Sequence, residues 1–317
     1  MSNPPTSITV GSRESPLALA QTHGVIARLQ QHWPQLQCQL ITFKTLGDQF
    51  LNQSFAELGY SAGEKQPLDK GLFIKELEVA LLNGSIDLAV HSGKDCPTQQ
   101  PEGLLVTPIG PRETPWDAWV SNQYQTLASC PPGTKIGTAS VRRTAQVLAK
   151  YPHLQVVMVR GNVQTRLGKL EDGTVDGLIL ACAGLERLNL QSRITQVLTP
   201  TDGFVPAPRQ GILGLEIRSN DFSLQTLIAP LQDAAVSAAW EAEEAVLKAI
   251  GGGCHTPVGA IATPDLLTNT LTLTGHYLSA NGTQQSQHSV TGSFSAAALL
   301  GTNLGKLLTD DLASILS

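Results

Sequence analysis

Two stretches hold residue types suited to covalent and acid–base chemistry. In Gly251-Gly252-Gly253-Cys254-His255-Thr256-Pro257-Val258-Gly259 a single thiol sits among glycine, proline and small polar residues. A turn of that make-up lets a bulky group approach the backbone, and a thiolate is a soft nucleophile. In His91-Ser92-Gly93-Lys94-Asp95-Cys96-Pro97 a carboxylate stands beside an ammonium, just past an apolar run. Strand ends are the usual location of sites in open α/β sheets. Taken singly, each residue also has a bland reading. Asp95 can cap the turn before Pro97, Cys254 can be a small buried thiol, and His91 reads as a hydrogen-bonded structural histidine ahead of a proton shuttle. His255 can modulate the thiol or face solvent.

The arginines form a second pattern. Arg13, Arg142, Arg143, Arg160 and Arg166 lie at, or in the first turns after, strand-to-helix junctions. Helix N-termini offer unpaired N–H groups and a positive dipole end, and guanidinium groups grip carboxylate or phosphate in bidentate fashion. One such arginine is unremarkable as a solvated residue; the set points to a polyanion pocket. No GxxxxGK[ST] or GxGxxG is present to cradle a nucleotide. Arg28, on the first helix, is expected on a solvated face.

The remaining composition narrows the class. A chain of 317 residues exceeds what one core usually organises, so two or three domains are expected. Hydrophobic residues at 41% and charged residues at 15% are globular proportions. The net charge of −5, without a Lys/Arg run, argues against a duplex nucleic-acid partner. No stretch reaches the roughly 18 apolar residues of a membrane span, so no membrane partner is expected. Residues 1–6 lack the features of a secretory signal. Five scattered cysteines without paired spacing favour free thiols in a cytoplasmic-type compartment. Neither CxxC nor HExxH occurs, and no metal site is expected.

Alternating β-branched and amphipathic runs would position these residues on βα units. Strands are read at 7–10, 37–43 and 86–91, with a helix from Pro16 capped by Ser15 and another over 71–83 ended by Gly84. A second, similar set has strands at 135–137, 155–159 and 176–181 and helices over 141–150 and 163–170. Two lobes of like design imply a hinged pair around a cleft. Residues 212–217 read as a return strand, 233–250 as a long Ala/Glu-rich helix, 270–278 and 287–292 as strands, and 295–316 as a closing helix.

These stretches, with Asp69-Lys70-Gly71-Leu72-Phe73-Ile74-Lys75-Glu76-Leu77-Glu78 and the arginine loops, resemble the hydroxymethylbilane synthase (porphobilinogen deaminase) family from about residue 10 to residue 259. The resemblance implies an α/β fold of two periplasmic-binding-protein-like lobes plus a small C-terminal α+β domain. The first lobe would comprise 1–110 plus about 206–228, the second 111–205, and the third domain 229–317. It also implies an enzyme, a transferase of tetrapyrrole (haem and chlorophyll) biosynthesis. The reaction would join four porphobilinogen molecules head to tail into linear hydroxymethylbilane with release of ammonia. A dipyrromethane cofactor, held by a thioether to Cys254, would prime it.

On the same resemblance Asp95 is the catalytic group, stabilising the cationic azafulvene formed as ammonia leaves. Arg13, Lys94, Arg142, Arg143, Arg160, Arg166 and Arg187 would bind the carboxylates of substrate and cofactor, Thr138 and Ser140 would add hydrogen bonds, and Ser15, Lys70 and Lys75 would also line the cofactor- and substrate-binding site. A monomer is expected. The competing reading is a two-lobed carboxylate-binding or sensor protein without catalysis, which needs neither Asp95 nor Cys254. Four departures from the family pattern stand out. Gly93 replaces a larger apolar residue, Arg209 replaces a glycine, Glu244 replaces an arginine, and segment 59–69 is longer and carries Lys65. If the backbone at 209 needs φ > 0, arginine there is strained.

Overall fold

The computed structural model describes residues 3–44, 74–252 and 256–316; Lys70, Cys254, His255 and segment 59–69 lie outside the described residues. In chain order the first elements are β1 (Ser7–Arg13), α1 (Pro16–His32), β2 (Gln37–Phe43), α2 (Lys75–Leu82), β3 (Leu88–Ser92), β4 (Leu104–Ile109), β5 (Asp117–Val120) and β6 (Lys135–Thr138). Next come α3 (Val141–Lys150), β7 (Gln155–Met158), α4 (Val163–Glu171), β8 (Gly177–Ala181), α5 (Cys182–Arg187), β9 (Gln196–Leu198) and β10 (Leu213–Arg218). The chain closes with α6 (Phe222–Ile228), α7 (Ala234–Ile250), β11 (Val258–Asp265), β12 (Thr270–Leu278), β13 (Gln285–Ser293) and α8 (Ala297–Leu316).

Two compact units divide the chain. The first comprises Met1–Gly110 and Leu213–Asp233. Its sheet has the order β2-β1-β3-β10-β4, with β1 parallel to β2 and β3, and β10 antiparallel to β3 and β4. Strand β3 is buried along Leu88, Ala89, Val90 and His91, as expected of a central strand covered on both faces. Val25 and Leu29 of α1 and Leu224, Leu227 and Ile228 of α6 pack with Val10, Val90 and Leu215. Leu77 and Leu81 of α2 pack with Ile86, Ala89 and Leu104. Helix α1 starts where Ser15 Oγ accepts the Ala18 N–H (3.3 Å) and Pro16 takes the first turn.

The second unit comprises Pro111–Ile212 and Ala234–Ser317. Its larger sheet, β7-β6-β8-β5-β9, repeats the design of the first: three parallel strands followed by an antiparallel one. A three-stranded antiparallel sheet, β11-β12-β13, packs on α7 and α8 through Val246, Leu273, Leu304 and Leu308. The fold is therefore mixed α/β, with two α/β lobes and a small C-terminal α+β part. Among the described residues no helix is long and apolar enough to cross a membrane.

Candidate active site

In the first unit, β1 and β3 are parallel neighbours, so the turns that follow them leave the sheet at the same edge. Arg13 ends β1 half-buried, and Ser15 serves as the cap of α1. After β3 the chain makes a tight turn over Gly93–Asp95, closed by the Cys96 N–H donating to Gly93 O (3.2 Å). That turn leaves Asp95 exposed and Lys94 half-buried. Its base is tied to α1 where Gln21 Nε2 donates to Ser92 Oγ (2.9 Å), and the end of β1 is tied to the same helix where Thr22 Oγ1 donates to Ser12 Oγ (2.9 Å). His91 is buried with its Nε2 2.8 Å from Glu216 Oε2, a structural placement below the turn. Lys75, at the first position of α2, is exposed. Burial, then the nearby Glu216, raises the pKa of Glu78 on the same helix.

In the second unit, β7, β6 and β8 are adjacent and parallel, so three strand-to-helix junctions share one edge. At the first, Thr138 Oγ1 accepts the Ser140 N–H (3.2 Å), and Ser140 Oγ caps α3 by accepting the Arg143 N–H (3.4 Å). Arg142 and Arg143, at 3% and 5% exposure, both turn onto the buried Asp117 of β5. Arg142 Nη1 lies 2.8 Å from Asp117 Oδ2 and also donates to Gln146 Oε1 (2.8 Å) and Val205 O (2.9 Å). Arg143 Nη2 lies 2.7 Å from Asp117 Oδ1, and its Nη1 donates to Ile179 O (3.0 Å). Gln210 Nε2 adds a third donor to Asp117 Oδ1 (3.0 Å).

Burial alone would raise the Asp117 pKa, but the two guanidinium groups outweigh it and hold the carboxyl well below the usual range. Burial pulls Arg142 down, with Asp117 opposing. At the second junction Arg160, two residues past the end of β7, is half-buried, Asn162 caps α4, and Arg166 Nε donates to Gly161 O (2.7 Å). On α5, Arg187 pairs with Glu113 (Nε to Oε2, 2.5 Å).

The expected residues thus divide. Thr138, Ser140, Arg142 and Arg143 meet at one junction, Arg160 and Arg166 lie at the next, and Arg187 lies at the C-terminal end of the helix that follows β8. Arg13, Ser15, Lys94 and Asp95 share an edge of the other unit. Asp117, Gln210, Gln146 and Glu113 were missed by sequence reasoning. Asp117 in particular follows Thr-Pro-Trp, a turn-like setting, and nothing local announces its partners 25 and 26 residues away.

Two cations on one carboxylate leave the Arg142–Asp117–Arg143 cluster positive, and the buried Arg142 Nε has no hydrogen-bond partner among the described residues. That donor set fits an acid-bearing pyrrole ligand. Among the described residues no group of three or more His, Cys, Asp or Glu could hold a metal ion.

The chain matches the porphobilinogen deaminase dipyromethane cofactor binding domain over residues 8–226 and the porphobilinogen deaminase C-terminal domain over residues 238–310. It is 44% identical to porphobilinogen deaminase of Chromobacterium violaceum, over 96% of this chain and 94% of that one. The Moorella thermoacetica porphobilinogen deaminase is 43% identical over 95% and 92%. Among solved structures, the periplasmic aliphatic sulphonate binding protein SsuA from Escherichia coli superposes with a TM-score of 0.40 at 12% identity, covering 77% of this chain and 70% of that one. Family models and full-length relatives agree from the first lobe to the last helix: the chain belongs to the porphobilinogen deaminase family.

Proposed function

We propose that the chain is a hydroxymethylbilane synthase, condensing four porphobilinogen molecules into linear hydroxymethylbilane with release of ammonia. The observation that carries the catalytic assignment is the exposed Asp95, fixed in a tight turn beside Lys94 at the end of a buried strand. A carboxylate so placed can accept the substrate's pyrrole N–H and offset the positive charge left as the aminomethyl C–N bond breaks and its electron pair departs with nitrogen. Lys94 and Arg13, at the same edge, would hold substrate carboxylates. Arg160, Arg166, Arg187 and the Arg142–Arg143 cluster would do so in the second unit, with Thr138 and Ser140 adding hydrogen bonds.

Dipyrromethane, when bound, supplies the pyrrole on which the chain grows. Cys254 would hold it by a thioether, and Lys70 would lie near the substrate; both assignments rest on the sequence resemblance. A carboxylate-binding protein without chemistry has no use for Asp95 or for a modified cysteine. Intact mass of the purified protein tests the reading: an adduct equal to two pyrrole units is expected, and it should vanish in Cys254→Ser. An unmodified mass from cells supplied with porphobilinogen would instead favour the non-catalytic binder.

A further inference from the structure

Arg209 is a buried arginine in a conformation that usually belongs to glycine. Its φ is +64°, in the left-handed region, and its side chain is 1% exposed. An L side chain held there is strained, and such strain persists only where the surroundings over-determine it. Here they come from one helix. Arg209 Nη1 lies 3.2 Å from Glu244 Oε1, and its guanidinium carbon sits 4.8 Å from the centre of the Trp240 ring. Trp240 and Glu244 are one turn apart on α7, so they share a face and grip the same cation. The Arg209 N–H is also fixed, donating to the buried Glu243, whose carboxylate takes Arg112 Nη1 (2.5 Å) and the Ala262 N–H (2.7 Å) as well.

The residues beside Arg209 reach the cationic cluster. Gln210 Nε2 donates to Pro115 O (2.7 Å) and to Asp117 Oδ1 (3.0 Å), while its Oε1 accepts from Arg143 Nη2 (3.4 Å). Val205 O accepts from Arg142 Nη1 and Gln146 Nε2, both at 2.9 Å. Two residues beyond, Gly211 is also left-handed at φ +87°, and a side chain there would run into the Glu113 backbone. The segment is a tight elbow whose shape sets where Gln210 and Val205 stand.

We propose that Arg209 and Glu244 are positioning residues for the carboxylate-binding arginines. Their ion pair, stacked on Trp240, fixes the elbow and through Gln210 and Val205 fixes Arg142, Asp117 and Arg143. The two positions are also two of the departures noted in the sequence. The structure joins them: a cation carried on the elbow meets an anion carried on the helix. The proposal rests on the reading that Arg142 and Arg143 serve porphobilinogen.

The test is steady-state kinetics and thermal unfolding of the holoenzyme. Glu244→Gln keeps size and removes the charge; KM for porphobilinogen is expected to rise about three- to tenfold with kcat within about twofold, the signature of lost ground-state and transition-state binding alike. Arg209→Gly, which relieves the backbone strain, should fold and show the same KM rise, and it serves if Glu244→Gln fails to accumulate. The double variant Arg209→Gly/Glu244→Arg puts the cation on the helix instead, and should return KM towards the starting value. A lower Tm with unchanged KM in both single variants, or a KM rise that the double variant does not reverse, overturns the proposal. Arg142→Leu is measured alongside. An unchanged KM there would sink the reading of the arginines themselves, whereas a raised KM there with none in Glu244→Gln sinks only the positioning role.

Discussion

Asp95 stands in solvent at the tip of the turn after β3, so its substitution is not expected to harm the fold. Asparagine keeps its shape and removes the charge; glutamate keeps the charge and moves it by one methylene. If the charge is what matters, Asp95→Glu retains measurable turnover while Asp95→Asn loses about two to three orders of magnitude, the scale of an electrostatic stabiliser. Single-turnover ammonia release at saturating porphobilinogen measures this. Equal rates for the parent protein and Asp95→Asn would return Asp95 to turn capping.

The thiols divide in a similar way. Burial pushes Cys130 up to about 11 and Cys182 up to about 12, with Asp176 and Asp117 respectively adding to the rise. Thiols held in the neutral form are poor nucleophiles. Neither should be alkylated by iodoacetamide at about pH 8 in the native protein, whereas an apo form should take the label at Cys254. Peptide mapping that finds Cys182 labelled before unfolding would contradict the burial argument. Arg28 gives a caution at this scale. Sequence placed it on a solvated face, yet it is half-buried and donates to Gly110 O, because the end of β4 comes within its reach.

At the scale of elements, local chemistry decided what could be read. The expected 37–43 strand, 141–150 helix and 270–278 strand coincide with β2, α3 and β12. Alternation marks the strands, and the Ser140 cap marks the start of α3. β5 is not legible in the sequence, since it opens on Asp117 behind Pro115 and Trp116 and owes its strand state to pairing with β8 and β9 much later in the chain. β11 was hidden by Pro257 and Pro264 at its ends, and it exists because β12 pairs along its whole length. The site shows the same division. Arginines at junctions are visible in one dimension, but their convergence on Asp117 is not.

That convergence has a cost when broken. Asp117→Asn leaves two buried guanidinium groups without their anion, a loss of roughly 3–5 kcal/mol for a broken buried pair, read as a lowered urea midpoint. Arg143→Gln in the same chain should recover part of it, and no recovery would show that the cost lies elsewhere. In β12, His276 is buried with Nε2 3.0 Å from Gln285 Oε1. Burial first, then Arg142, lowers its pKa from 6.5, against the opposing hydrogen bond that the ring donates to Gln285 Oε1. The folded state therefore binds fewer protons than the unfolded one. The contribution is fully present above about pH 6.5 and is lost as pH falls below it. His276→Gln should flatten the dependence of unfolding free energy on pH between about 7 and about 5; an unaltered slope would remove His276 as its source.

At the scale of the whole molecule, the chain builds the same sheet design twice and closes the first copy last. β10 sits between β3 and β4, its neighbours in the order β2-β1-β3-β10-β4, although more than a hundred residues separate Gly110 from Leu213. Synthesis on the ribosome runs in one direction, so β3 and β4 emerge long before the strand that joins them. Residues 111–212 emerge in the interval. Until β10 arrives, β3 has an open edge beside the turn that bears Asp95, and open edges invite wrong pairing. A nascent chain stalled before residue 218 would carry a catalytic turn on an unfinished sheet. The enzyme's own order of assembly thus withholds a finished Asp95 site until more than two-thirds of the polypeptide has been made.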